Sequence, residues 1–201
     1  MKQINLPNNR VLKIIQDSDF NPRVDQDNLG TIYSWHSRYA LADKKDWKSK
    51  ETFQLHKNDY ISAKDAVESN TTKENVVIIP LYIYDHSGIT ISSSPFDCRF
   101  DSGQFGFITV TKEKLRQEFG CKRITKSIIQ KAKEILESEI KAFDHYLTDN
   151  QYSFTIEENE ESEGYFGPFH GENLYTNGMM DEFPLDVKEF LLQNKKEISV
   201  Y

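Results

Sequence analysis

Apolar residues recur along this chain at two spacings. Val11–Ile15, Thr31–His36, Val76–Tyr84, Phe105–Val110 and Tyr152–Ile156 are short runs rich in β-branched and aromatic side chains. Such runs predict strands. Val76–Tyr84 is the most apolar of them, and the proline inside it, Pro80, predicts an edge position or a bulge. A helical spacing takes over after Phe105–Val110. Thr111 is placed to cap a short helix that stops at Gly120. Thr125 is placed to cap a longer one, whose apolar stripe is Ile128, Ala132, Ile135, Ile140, Phe143 and Leu147.

Between these segments the pattern lapses. Asn21-Pro22-Arg23 through Asp27-Asn28-Leu29-Gly30 is punctuated by Pro, Asn and Gly and reads as a loop. Asp43 to Asn75 is polar and weakly periodic, which predicts an insertion with one short helix near Ser62–Glu68. Glu157 to Glu163 carries five glutamates and reads as a solvated loop, with one more helix over Phe183–Leu192. Strands followed by helices, without strict alternation, define an α+β fold class. The expected architecture is an antiparallel or mixed sheet with a long and a shorter helix on one face. The expected organisation is one domain over residues 1–156, with the insertion at about 43–75, then an acidic loop and tail over 157–201.

Composition narrows the possible partners. Hydrophobic residues make up 37% of 201 residues, but aromatics reach 12%, and each buried ring removes a large area from water. A core of useful size is therefore feasible. The net charge of −7 disfavours direct attraction to nucleic acid or anionic membrane, both of which need a basic face. It favours a basic protein partner. Two cysteines, Cys98 and Cys121, do not make a disulfide framework. No run approaches the ~20 apolar residues of a spanning helix, and no signal-peptide pattern opens the chain. The expectation is a soluble cytoplasmic protein.

Reactive side chains concentrate in Leu81–Val110. His86, Cys98 and Asp101 fall there, and His36 ends another predicted strand. Cys98 and Asp101 are three residues apart, a spacing that lets one turn aim both at a point. With His36 and His86 they make a mixed N, S and O set of the kind that selects zinc. Asp85 and Asp27 are second choices, as part of an oxygen site for magnesium or calcium with Asp101. Asp85 and His86 face opposite ways on a regular strand, so one of them at most joins a shared site. The bland reading has His36 and His86 holding turns and Cys98 filling space. A His36–Asp85–Ser102 triad can be written, but the chain lacks a G-x-S-x-G elbow. No catalytic residue is therefore assigned. Gly103 and Gly106 read as bulge or close-packing positions.

Asn21-Pro22-Arg23, Asp27-Asn28-Leu29-Gly30-Thr31, Trp35-His36-Ser37-Arg38-Tyr39, Leu81-Tyr82-Ile83-Tyr84-Asp85-His86-Ser87-Gly88-Ile89-Thr90 and Asp101-Ser102-Gly103-Gln104-Phe105-Gly106 resemble a family of small proteins. That family is carried by phages and other mobile elements of Firmicutes-type hosts. The resemblance covers roughly residues 10–155. The family usually has Trp where this chain has Phe100. Most members have no assigned activity, and some that look similar are anti-CRISPR proteins acting on type II effector nucleases. The resemblance implies an inhibitor of host defence, with the motif positions His36, Asp85, His86, Cys98 and Asp101 as a metal set and zinc as the metal.

Two classes of function stay open. One is an acidic inhibitor that docks on a basic surface of a bacterial CRISPR effector nuclease, with zinc as a folding staple. The other is a metal-dependent hydrolase with water at an open position. Charge leans to the first, and no carboxylate pair stands out as acid and base.

Overall fold

The computed structural model describes residues 1–34, 36, 38–43, 75–98, 100–158 and 161–198. The short helix expected near 62–68 lies outside the described residues. Strands β1 (Lys2–Asn5), β2 (Arg10–Gln16), β3 (Thr31–Ser34), β4 (Asn75–Asp85), β5 (Ile89–Ser92) and β6 (Ser102–Thr111) precede helices α1 (Lys112–Glu118) and α2 (Lys126–Leu147). Strands β7 (Gln151–Glu158) and β8 (Glu161–His170) follow. Three short helices close the described chain: α3 (Met179–Glu182), α4 (Leu185–Gln193) and α5 (Lys195–Ile198). The α+β class is as expected. The strands form two four-stranded antiparallel sheets, however, and not one.

The chain divides into two compact units. The first combines residues 1–21 with residues from 145 onward, and the second is Pro22–Asp144. The division falls at 21/22 and 144/145, where the expectation from sequence was a boundary at 156. In the first unit the sheet order is β1-β2-β7-β8. Ile4 pairs Leu12, which pairs Ile156, and Ile14 pairs Phe154. Cross-strand neighbours share a face, so these side chains form one apolar surface. Met179, Phe183, Val187 and Leu191 from the C-terminal helices join the same cluster. Phe154 is its centre, with Phe183 edge-on at 4.5 Å and Phe166 stacked at 5.0 Å between ring centroids. The C-terminal segment is therefore part of a core.

The acidic run is a hairpin and not a loop. Glu157 and Glu158 end β7, and Glu161 begins β8. Lys13 Nζ reaches Glu157 at 2.6 Å, which compensates one of the charges. The strand was hard to read because its aromatic residues, Phe166 and Phe169, are interrupted by Gly167 and Pro168.

In the second unit the order is β3-β6-β4-β5. Along β4, Val77, Ile79, Leu81 and Ile83 are buried and the residues between them are half-buried, the alternation of a one-sided strand. The β4–β5 ladder spans only Tyr82–Asp85. Among the described residues Pro80 therefore stands where β4 has β6 alone as a neighbour, and a bulge follows between Leu81 and Tyr82. A missing N–H is tolerated at such a place. In β6 every residue from Phe105 to Val110 is buried, so this central strand is covered on both faces.

Both expected caps form. Thr111 Oγ1 accepts from Lys114 N, and Thr125 Oγ1 accepts from Ile128 N at 3.4 Å. Gly120, with φ +56°, ends the first helix segment, a conformation that glycine adopts at little cost. The buried stripe of α2 is Ala132, Leu136, Glu139, Ile140 and Phe143. Ile135, placed on that stripe by spacing, is 37% exposed. No helix among the described residues is long and apolar enough to cross a membrane.

Candidate functional site

One end of the second sheet gathers most of the residues singled out by sequence. The backbone arranges it. Ser87, at φ +60°, and Gly88 turn β4 into β5, and His86 N donates to Gly88 O at 3.0 Å. Asp85 N donates to Asp101 O at 2.8 Å, which fixes the 98–101 turn beside the end of β4. Ser102 Oγ donates to Cys98 O and closes that turn.

The side chains fall into two groups. In the first, Asp101 Oδ2 lies 3.3 Å from His86 Nδ1 and 3.8 Å from Cys98 Sγ. In the second, the Asp85 carboxylate accepts from Arg38 Nη1 at 2.7 Å and from Tyr39 Oη at 3.1 Å. His36 belongs with the second group. Its Nδ1 accepts the backbone N–H of Arg38 and of Tyr39, both at 3.3 Å, and its ring stacks on Tyr39 with centroids 5.2 Å apart. An Nδ1 that accepts cannot carry a proton, and burial also holds the imidazole below its ordinary pKa. Asp85 opposes that shift and Arg38 adds to it.

The zinc set predicted from sequence is thus brought together in part. His86, Cys98 and Asp101 adjoin. His36 is turned into its own loop, and Asp85 is taken by Arg38 and Tyr39. Asp27 lines a separate hollow of about 340 Å³, with Asn28, Leu29, Lys114, Gln117, Glu118, Ile135 and Glu139. Among the described residues no group of three or more His, Cys, Asp or Glu is arranged to hold a metal ion. In this arrangement His36 and Asp85 are engaged apart from the His86, Cys98 and Asp101 group. The triad does not assemble through hydrogen bonds either, because the Ser102 hydroxyl is given to Cys98 O.

The 98–101 turn presents one feature that reactive-residue counting missed. Phe100 is 98% exposed. It stands at the crest of a turn braced from within by the Ser102–Cys98 and Cys98–Asp101 contacts. Phe96, four residues earlier, is instead packed near Tyr84, with centroids 5.8 Å apart. The signal in the sequence was the aromatic itself, placed between Arg99 and Asp101, where no strand face exists to bury it.

Sequence reasoning also missed a buried ionic cluster in the same unit. Arg23 uses all five of its N–H donors. Nη1 reaches Glu139 Oε2 and Asn28 Oδ1, both at 2.8 Å. Nη2 reaches Asp43 Oδ2 at 2.6 Å and Gly30 O at 3.0 Å, and Nε reaches Asp43 Oδ1 at 2.9 Å. Glu139 also accepts Leu29 N at 2.6 Å and Gly30 N at 3.1 Å. Burial opposes the charge on Arg23, and Asp43 and Glu139 outweigh it. This cluster is a brace for the 22–30 loop. A charged residue inside the apolar stripe of α2 was the available clue.

The chain matches no protein-family model, no curated protein and no solved structure.

Proposed function

We propose that this is a binding protein that acts by stoichiometric contact with a basic protein surface, and that the Phe100 turn is its anchor. The observation that carries the reading is the almost complete exposure of Phe100 on a braced turn. An exposed aromatic ring has only two side-chain torsions to fix on docking and offers a large contact area. Such residues are typical of interface hot spots. The Asp85 backbone N–H and the His86 and Cys98 contacts to Asp101 brace the turn, so residues that suggested chemistry also act as scaffolding.

Net charge supports the sign of the partner. At −7, the chain is attracted to positive surfaces over roughly a Debye length. The resemblance to phage-borne proteins implies the class: a type II RNA-guided nuclease, which must expose basic channels to grip nucleic acid. The role is then inhibition of host defence without turnover.

A cleavage assay at fixed nuclease, titrated with this protein, tests the reading. Inhibition that saturates near equimolar and weakens as salt rises is the expected result. Full inhibition at strongly substoichiometric protein would indicate an enzyme, and no effect on any such nuclease would remove this target class. Phe100→Ala is the companion variant. Burying a phenylalanine is worth ~1.5–3 kcal/mol, so complex formation should weaken by about 10- to 100-fold. Thermal stability should stay within ~0.5 kcal/mol of the wild type, as for ordinary surface changes. Unchanged affinity would place the anchor elsewhere.

A further inference from the structure

The first unit contains a stacked pair of histidines where α2 hands over to the sheet. His145 is in the last turn of α2 and His170 is the last residue of β8. Their ring centroids are 5.1 Å apart and their planes are inclined by 9°. The backbone binds the two places together. Asn150 N donates to His145 O at 2.7 Å, Gly171 N donates to Asn150 O at 3.1 Å, and Gln151 is the cross-strand partner of His170. Gln151 is fully buried, and its Nε2 donates to Phe20 O at 2.9 Å and to Asp17 O at 3.3 Å. The end of β8 thus lies against a well-anchored start of β7.

The two rings are not equivalent. His145 Nδ1 has a polar neighbour, Asn150 Nδ2, at 3.1 Å. His170 Nδ1 is buried and has no hydrogen-bond partner among the described residues. A neutral His170 tolerates this with a bare lone pair at Nδ1. A protonated His170 would carry an N–H there with nothing to accept it, and a positive charge against the face of another imidazole. Both consequences cost free energy.

We propose that the His145–His170 stack is an acid-sensitive latch: while the His170 ring is neutral it holds the end of β8 on the start of β7, and protonation of His170 releases it.

The surrounding charges do not rescue the cation. From α2 the facing titratable group is His145. Asp144, its neighbour, accepts from Thr90 Oγ1 and Ile91 N. From β7 comes Tyr152, and from the segment after β8 comes Glu172, which acts on the Tyr152 hydroxyl. From the 17–20 segment, Asp17 accepts Phe20 N with its carboxylate. Among the described residues no carboxylate bonds either ring. Burial first, and then His145, hold His170 below its ordinary value. The sign follows from linkage. An imidazole whose folded pKa is lowered contributes stability above its unfolded pKa of ~6.5, and that contribution is lost as pH falls from there toward the folded value.

Nuclear magnetic resonance on the full chain tests this. Histidine ring titration should place His170 below ~6.5. Amide exchange at Gly171, corrected for intrinsic rate, should show an opening constant that rises as pH falls below that point, by at most about tenfold per pH unit for one proton. Amides of β6, such as Ile108, should show no such rise. His170→Phe keeps a ring for the stack and cannot titrate, so the pH dependence at Gly171 should flatten. The proposal is overturned if His170 titrates at or above its ordinary value in the wild type, a measurement that needs no variant. It is equally overturned if His170→Phe retains the wild-type pH dependence.

Discussion

Gly106→Ala is expected to unfold the second unit or leave it barely folded. A Cβ at this position would lie 2.1 Å from Tyr33 O and 3.1 Å from Ser34 Cα, and both are main-chain atoms. Gly106 pairs with Ser34 on β3 and with Leu81 on β4, so neither side can yield without opening a ladder in the centre of the sheet. Overpacking by a methyl typically costs ~1–3 kcal/mol when flexible side chains move aside. Here the obstacle is backbone, and the cost should exceed that range. Denaturant unfolding followed by circular dichroism measures it. Gly103→Ala is the matched control: nothing lies within 4 Å of its added Cβ, and its stability should change by less than ~0.5 kcal/mol. Equal effects from the two substitutions would show that close approach at Gly106 is not what shapes this strand pair.

Arg23→Ala should cost about 3–5 kcal/mol, the range for breaking a buried charge cluster by removing one partner. The guanidinium is 5% exposed and Glu139 is 9% exposed. Without Arg23, Glu139 and Asp43 remain as carboxylates facing each other across a low-dielectric gap, and Asn28 and Gly30 lose a donor each. Arg23→Lys should recover little, since three donors on a point charge cannot reproduce five in a planar fork. Thermal unfolding of both variants, with Arg10→Ala as a comparison, checks this. Arg10 pairs with Asp186, whose side chain is 56% exposed, and such pairs contribute ~0–1 kcal/mol. A loss below ~1 kcal/mol for Arg23→Ala would mean that the cluster is incidental to folding.

These two sites also explain how much could be read from the chain itself. The central strands, the capped helices and the α+β class were legible because they rest on local pattern: alternation at Val77 to Ile83, hydroxyls at Thr111 and Thr125, a left-handed glycine at 120. Gly106 was legible as a close-packing position, although not as a contact with β3. The division into two sheets was not legible, because it depends on which strand pairs with which over more than a hundred residues. β2 joins β7, for example, across Arg10–Glu158. Strand β8 was hidden by the glutamates that lead into it, of which Glu161, its first residue, is exposed.

The candidate site was legible as a place, and the arrangement of its side chains was not. His86, Cys98 and Asp101 do adjoin, and His36 and Asp85 lie near one another. Spacing cannot say which way a lone pair points, and His36 Nδ1 faces its own backbone. The motif that resembles phage-borne proteins contains Arg23, Asn28 and Gly30, and here these three form the buried brace of the 22–30 loop. Motif residues of this kind describe how a loop is held as often as what a loop does.

The outer strand of the first sheet has one more consequence. An open edge is a template on which other chains can add strands and grow fibrils. β8 offers ten residues of such an edge, yet its pairing with β7 is irregular between Tyr152 and Phe154 and again between Phe154 and Ile156. Pro168 has no N–H to offer an incoming strand. Glu161 is exposed at the start of this strand, and a second copy laid alongside in parallel register would set it against its own counterpart. The proline and the register shifts that disguise this strand in the sequence thus make its edge a poor template for self-association.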